Sequence, residues 1–133
     1  VGLMRTADLI KRQAAALVEP HGITLQQFNV LRILRGARAE GLPTLEVAER
    51  MIEATPGVTR LLDRLEAKEL VRRQRCPTDR RQHLCWITAK GLAVLEKIDV
   101  LAVRAPDESL KGLRQKERLA LIRLMDAIRA AHQ

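Results

Sequence analysis

Between Arg72 and Arg81 there are five arginines and one aspartate. Guanidinium groups gathered this densely bind phosphate and can fork onto a guanine edge. Just upstream, Val58, Leu61, Leu62 and Leu65 recur at i, i+3, i+4 and i+7, one apolar helical stripe. At ~100° per residue the opposite side carries Pro56, Arg60, Asp63, Arg64 and Ala67, with Thr59 on the flank. Thr55 suits an N-cap and Pro56 the first helical position. The chemistry on offer is therefore recognition of a polyanion by a helix face and a basic loop. A solvated charged face is the plain alternative for the arginines alone. The cap, the stripe, the outward Thr and Arg and the basic run are together more specific than any one of them.

Other chemistry is absent from the pattern. No Ser/His/Asp or Cys/His constellation, Gly-rich phosphate loop or paired-carboxylate motif stands out, so no enzyme and no cofactor is expected. His21, His83 and His132 lack ligand spacing and read as surface residues. Cys76 and Cys85 are too few for a disulfide scaffold and lack metal-like spacing, which fits a reducing cytoplasm. Nearby arginines would make either thiol reactive, but a small apolar strand residue is the favoured reading.

The positioning elements follow from periodicity. Leu3, Ala7, Ile10, Ala14 and Leu17 mark a first helix, stopped at Glu19-Pro20-His21-Gly22. Thr24 with Gln27 is a capping box opening a helix with Leu25, Phe28 and Leu31 on one face and Leu34 nearer its edge. Gly41-Leu42-Pro43 reads as a turn, and Thr44 as the cap of a short helix holding Leu45, Val47, Ala48 and Met51. Arg72–Cys76 and Gln82–Thr88 lose helical spacing around Pro77-Thr78-Asp79, which predicts an antiparallel hairpin with a long tip. Trp86 is expected to pack on its strand. Thr88 caps a helix with Leu92, Leu95, Ile98 and Leu101, interrupted by Pro106. A last helix runs from about Arg114 to His132, with Leu121, Leu124, Met125 and Ile128 on its stripe. The fold class is mostly α with a small β-hairpin. Two short helices before a basic hairpin point to a winged helix-turn-helix.

Composition agrees. The 133 residues fit a single domain, and 47% hydrophobic with 30% charged residues is ordinary for a globular chain. The net charge is +8. Ten basic and five acidic residues lie between Arg50 and Lys90, so most of the surplus sits on the hairpin and the helix before it. Phe28 and Trp86 are the whole aromatic complement, which counts against base-stacking modules for single strands or RNA. No apolar run reaches the ~20 residues of a membrane helix.

At these residues the chain resembles the MarR family of bacterial transcription regulators. The match runs from Gly22-Ile23-Thr24-Leu25-Gln26-Gln27-Phe28-Asn29-Val30-Leu31 through Thr55–Glu66 to Asp79-Arg80-Arg81 and Leu84-Cys85-Trp86-Ile87-Thr88-Ala89-Lys90-Gly91. The middle block with the Asp-Arg-Arg is the specific part. The resemblance implies a homodimeric repressor or activator on pseudo-palindromic double-stranded DNA. Residues 1–22 and 107–133 would mainly dimerise, 24–91 would form the winged lobe and 92–106 a connecting helix. A non-specific nucleic-acid or protein-binding winged module is the alternative.

The resemblance also assigns roles. Thr55, Pro56, Gly57, Thr59, Arg60 and Arg64 match the recognition-helix positions facing the major groove. Arg81 matches the wing arginine of the minor groove, Asp79 the carboxylate orienting it, and Arg80 a phosphate contact. Thr44 is a phosphate-contact candidate that capping explains equally well. Asp63 either repels phosphate or pairs with Arg60 or Arg64, and pairing is favoured because an unpaired acid facing DNA is costly. Glu69 stands where the family commonly has Gly in the left-handed region. A small aromatic or phenolic effector between the dimer helices and the lobe is a further implication, though few aromatics here would line its pocket.

Overall fold

The computed structural model describes residues 1–52, 57–104 and 108–133. Among these, the α-helices are α1 (Gly2–Val18), α2 (Leu25–Ala37), α3 (Thr44–Arg50), α4 (Val58–Ala67), α5 (Ala89–Arg104) and α6 (Gln115–Ala130). The strands are β1 (Leu42–Pro43), β2 (Val71–Arg75) and β3 (His83–Ile87), in the antiparallel order β1-β3-β2. Register runs from Val71 opposite Ile87 to Arg75 opposite His83, while Leu42 faces Cys85 and Pro43 faces Leu84.

The core forms where the helical stripes meet the sheet. Val30, Leu31 and Leu34 of α2, Val47 of α3, Leu62 and Leu65 of α4, Leu95 and Ile98 of α5 and Cys85 of β3 are fully buried. Burial stabilises each large side chain by roughly 1.5–3 kcal/mol. Leu34 is therefore central rather than at the edge of its helix, and α2 packs against β3, α4 and α5. The capping box is present: the Thr24 amide donates to Gln27 Oε1 at 3.1 Å and the Gln27 amide to Thr24 Oγ1 at 3.2 Å. Gln27 is itself buried, and Lys68 donates to its Oε1 at 3.2 Å and to the Gly22 carbonyl at 2.6 Å. The end of α4 is thus tied to the start of α2.

The segment before α3 differs from expectation. Gly41 turns the chain at φ +70°, but Leu42–Pro43 pairs with β3 instead of continuing a turn. Pro43 occupies a sheet edge, where its missing N–H costs nothing. Pairing pulls Pro43 into the N-cap position of α3, so Thr44 is the first helical residue and makes no cap bond. Its hydroxyl faces the His83 carbonyl at 3.5 Å and Cys85 Sγ at 3.7 Å. Leu45 is exposed, since a seven-residue helix turns only Val47, with Ala48 and Met51 beside it, to the core.

Thr88 caps α5, accepting the Gly91 amide at 3.1 Å. Pro106 lies outside the described residues. Leu3, Met4 and Leu9 of α1 and Leu119, Ile122, Leu124 and Ile128 of α6 are each more than half exposed. No described helix is long and apolar enough to cross a membrane. The architecture is a winged helix-turn-helix lobe with helices from both ends of the chain beside it.

Candidate nucleic-acid interface

The α4 stripe of Val58, Leu61, Leu62 and Leu65 is buried, and this fixes what the helix shows outward. Thr59, Arg60, Asp63 and Arg64 are exposed on the other side. Gly57 stands at the N-cap, with open space where a Cβ would be. The Thr55 cap and Pro56 lie outside the described residues.

β2 and β3 carry the wing. Its loop is closed by the Cys76 amide donating to the Gln82 carbonyl at 2.8 Å and the Gln82 amide to the Asp79 carbonyl at 3.1 Å. Asp79, Arg80 and Arg81 are exposed on it. The Asp79 carboxylate accepts the backbone amide of Arg81 at 3.0 Å. It therefore shapes the turn rather than gripping the Arg81 guanidinium, because a side chain two residues back reaches the amide most readily.

Thr44, Thr59 and Arg81 converge. With Pro43, Leu45, Arg73, Gln82 and His83 they line a cleft of about 360 Å³ between α3, α4 and the wing. Arg60, Arg64 and Arg80 lie outside this cleft. Among the described residues, Arg60, Arg64, Arg75, Arg80 and Arg81 have no carboxylate partner. Their charge is uncompensated and directed to solvent, as a phosphate-binding face requires.

Asp63 does not pair with Arg60 or Arg64. Its Oδ1 accepts from Arg73 Nη2 on β2 at 2.5 Å. Glu66 Oε2 takes two more bonds from Arg73, from Nε at 3.0 Å and Nη2 at 2.6 Å. Asp63 and Glu66 fall on the flank of α4 facing β2, where Arg73 reaches both, while Arg64 lies off that flank. Burial of Arg73 works against its charge, and the two carboxylates more than offset it, raising its pKa. Sequence reading missed Arg73 because it counted as one of five arginines in a run. The strand alternation that points Arg72 and Arg73 to opposite faces was the available signal.

On the other face, Trp86 packs on its strand as expected. Its Nε1 donates to the Ala39 carbonyl at 3.0 Å, and the Arg72 guanidinium lies 4.5 Å from the ring centroid. Cys76, half-buried at the wing loop, has Sγ 3.2 Å from Thr78 Oγ1. That hydrogen bond, then the Thr78 and Asp79 backbone, lowers its thiol pKa. Cys85 is buried, and burial pushes its thiol up. Among the described residues no group of His, Cys, Asp and Glu is placed to hold a metal ion.

Comparison with known proteins places this geometry. Residues 23–83 match the MarR family. The HTH-type transcriptional regulator MhqR of Bacillus subtilis is 31% identical over 100 residues, covering 75% of this chain and 68% of MhqR. A MarR transcription factor from Planctomyces limnophilus superposes with a TM-score of 0.73 at 35% identity, over 94% of this chain and 90% of that one. The fold is also that of S. aureus MepR in a DNA complex, with a TM-score of 0.82 at 22% identity over 97% of this chain and 95% of the other. With its winged lobe and the arginines exposed on α4 and the wing, the chain belongs to the MarR family of DNA-binding transcriptional regulators.

Proposed function

We propose that the chain is a sequence-specific regulator that acts as a homodimeric repressor on a pseudo-palindromic operator in double-stranded DNA. The observation that carries this reading is the set of arginines on α4 and the wing loop, Arg60, Arg64, Arg80 and Arg81, that have no carboxylate partner among the described residues and share one lobe. In this reading Gly57, Thr59, Arg60 and Arg64, with Thr55 and Pro56 before them, face the major groove. Arg81 enters the minor groove, on a turn shaped by Asp79. Thr44 and Arg80 meet phosphate. Residues 24–91 form the binding lobe, 92–106 connect, and 1–22 with 107–133 dimerise. The exposed apolar residues of α1 and α6 support dimerisation, since such faces are normally covered. A two-turn site would set the paired α4 helices ~34–36 Å apart.

A cavity of about 270 Å³ between α1 and the lobe, lined by Ile10, Ala14, Leu25, Phe28, Arg32 and Met51 among others, suits a small aromatic or phenolic acid as effector. Apolar walls would hold a ring and Arg32 a carboxylate. Binding there would shift the spacing of the two recognition helices and release the operator.

The test is binding to the duplex upstream of the chain's own gene against random duplex of equal length, across a salt series. A preference of ~10³ or more at physiological salt supports the regulator. Equal, steeply salt-dependent binding to both leaves only the electrostatic contribution and favours a non-specific winged module.

A further inference from the structure

We propose that Arg73 is a positioning residue for α4: it braces the helix against the wing strand through Asp63 and Glu66 and keeps Asp63 from capturing Arg60, which faces DNA in that reading. The proposal rests on the DNA-binding reading above and deepens it. Three bonds of 2.5–3.0 Å run from one guanidinium to two carboxylates one turn apart on α4. The Arg73 side chain is only 19% exposed, whereas the two carboxylates are 55% and 42% exposed. A forked donor pinned in a strand and bonded to successive turns fixes both the roll and the height of a helix, which a single point charge does not.

Consequences for charge follow from the same contacts. Asp63 lies three residues after Arg60, and residues three apart on a helix are neighbours. Released by Arg73, Asp63 would turn to Arg60 and cancel it. Arg73 also lines the cleft that holds Thr59 and Arg81, so it adjoins both DNA-facing elements at once.

The experiment compares the full chain with Arg73→Lys, Arg73→Met and Arg73→Met/Asp63→Asn/Glu66→Gln. Each is measured on the upstream duplex and on random duplex across salt, with amide hydrogen exchange of α4 in the free protein. Arg73→Lys keeps the charge but not the fork. It is expected to hold random-duplex affinity within about twofold while the preference for the upstream duplex falls about tenfold. A merely structural role would lower both affinities by the same factor. Arg73→Met should lower both affinities, and the triple substitution should restore random-duplex binding but not preference. Full preference in Arg73→Lys, or its recovery in the triple variant, overturns the proposal. If the unmodified chain shows no preference, the operator reading fails and the exchange data decide. Faster exchange confined to α4 in Arg73→Lys supports the brace, and unchanged exchange overturns it.

Discussion

The Thr88 hydroxyl donates to the Glu69 carbonyl at 2.7 Å while accepting the Gly91 amide at 3.1 Å. One side chain thus begins α5 and holds the residue just beyond α4, across the base of the hairpin. Glu69 adopts φ +61°, the left-handed region that ends a helix in a Schellman motif. The two bonds of that motif are present: the Leu70 amide to the Leu65 carbonyl and the Glu69 amide to the Glu66 carbonyl, both 2.9 Å. The end of α4 is therefore fixed by backbone geometry that favours glycine, at a position occupied by glutamate.

Replacing Glu69 should stabilise the lobe. A non-Gly residue in this region costs roughly 1–2 kcal/mol. Glycine returns part of that through the greater entropy of its unfolded chain, about 0.5–1 kcal/mol. The lost Lys90 contact, 3.2 Å long between well-exposed groups, is worth little. Glu69→Gly is expected to gain about 0.5–1 kcal/mol in urea unfolding, with duplex affinity unchanged. A loss of stability would show that the Glu69 side chain holds the hairpin base in some other way.

Two glycines should not tolerate a methyl group. At Gly91 a Cβ would sit 2.4 Å from the Leu70 carbonyl oxygen, where Thr88 and α5 close on the hairpin. At Gly41, with φ +70°, it would meet Trp86 Cε2 at 2.6 Å and the Cys85 carbonyl at 3.0 Å. Each Ala substitution should cost about 2 kcal/mol or more, because at Gly91 the backbone must move and at Gly41 a positive φ is strained while the Trp86 ring, hydrogen-bonded to the Ala39 carbonyl, must shift. Ala at Gly36, where nothing lies within 4 Å, is the control and should be neutral or stabilising. Thermal unfolding of the three variants decides the matter.

Much of this architecture was legible because its signals are local. The Thr24–Gln27 box, the α4 stripe and the Thr88 cap each declare themselves within a few residues, and the structure contains all three. The errors came from tertiary pairing. Leu42–Pro43 has turn chemistry, and only β3, some forty residues later, makes it a strand and takes the cap role from Thr44. Asp63 was read against its helical neighbours, whereas its partner lies across the hairpin junction on Arg73. Local spacing places Arg60 and Arg64 on the outer face of α4, but pairs Asp63 with one of them, whereas the hairpin brings Arg73 to it.

The two cysteines should separate by reactivity. The Thr78 hydroxyl, then the Thr78 and Asp79 backbone, hold the Cys76 thiol below the ordinary range, and burial holds Cys85 above it. Near pH 8, iodoacetamide should modify Cys76 at least about tenfold faster than Cys85, because only the thiolate attacks. Thr78→Val should slow the Cys76 reaction by raising its pKa. For Cys85 the sign runs the other way: its folded pKa is raised, so the unfolded chain ionises first. Stability from this group falls as pH rises from the ordinary thiol value towards the folded one. Equal alkylation rates in the native protein would contradict the burial of Cys85.

Arg60 and Arg81 should fail differently when truncated. Arg60 stands on the exposed face of α4, where a bidentate contact to a guanine edge is worth ~1–3 kcal/mol of discrimination. Arg60→Ala should therefore relax sequence choice, cutting the preference for the upstream duplex by roughly tenfold or more. Arg81 sits in the wing loop, its backbone fixed by Asp79, where the narrow minor groove offers potential rather than a distinct pattern of bases. Arg81→Ala should weaken binding to all duplexes and reduce the salt slope by about one. Asp79→Ala should do the same more weakly, because it loosens the turn without removing the charge. If Arg81→Ala leaves affinity and slope unchanged, Arg81 does not enter the minor groove and its assigned role is wrong.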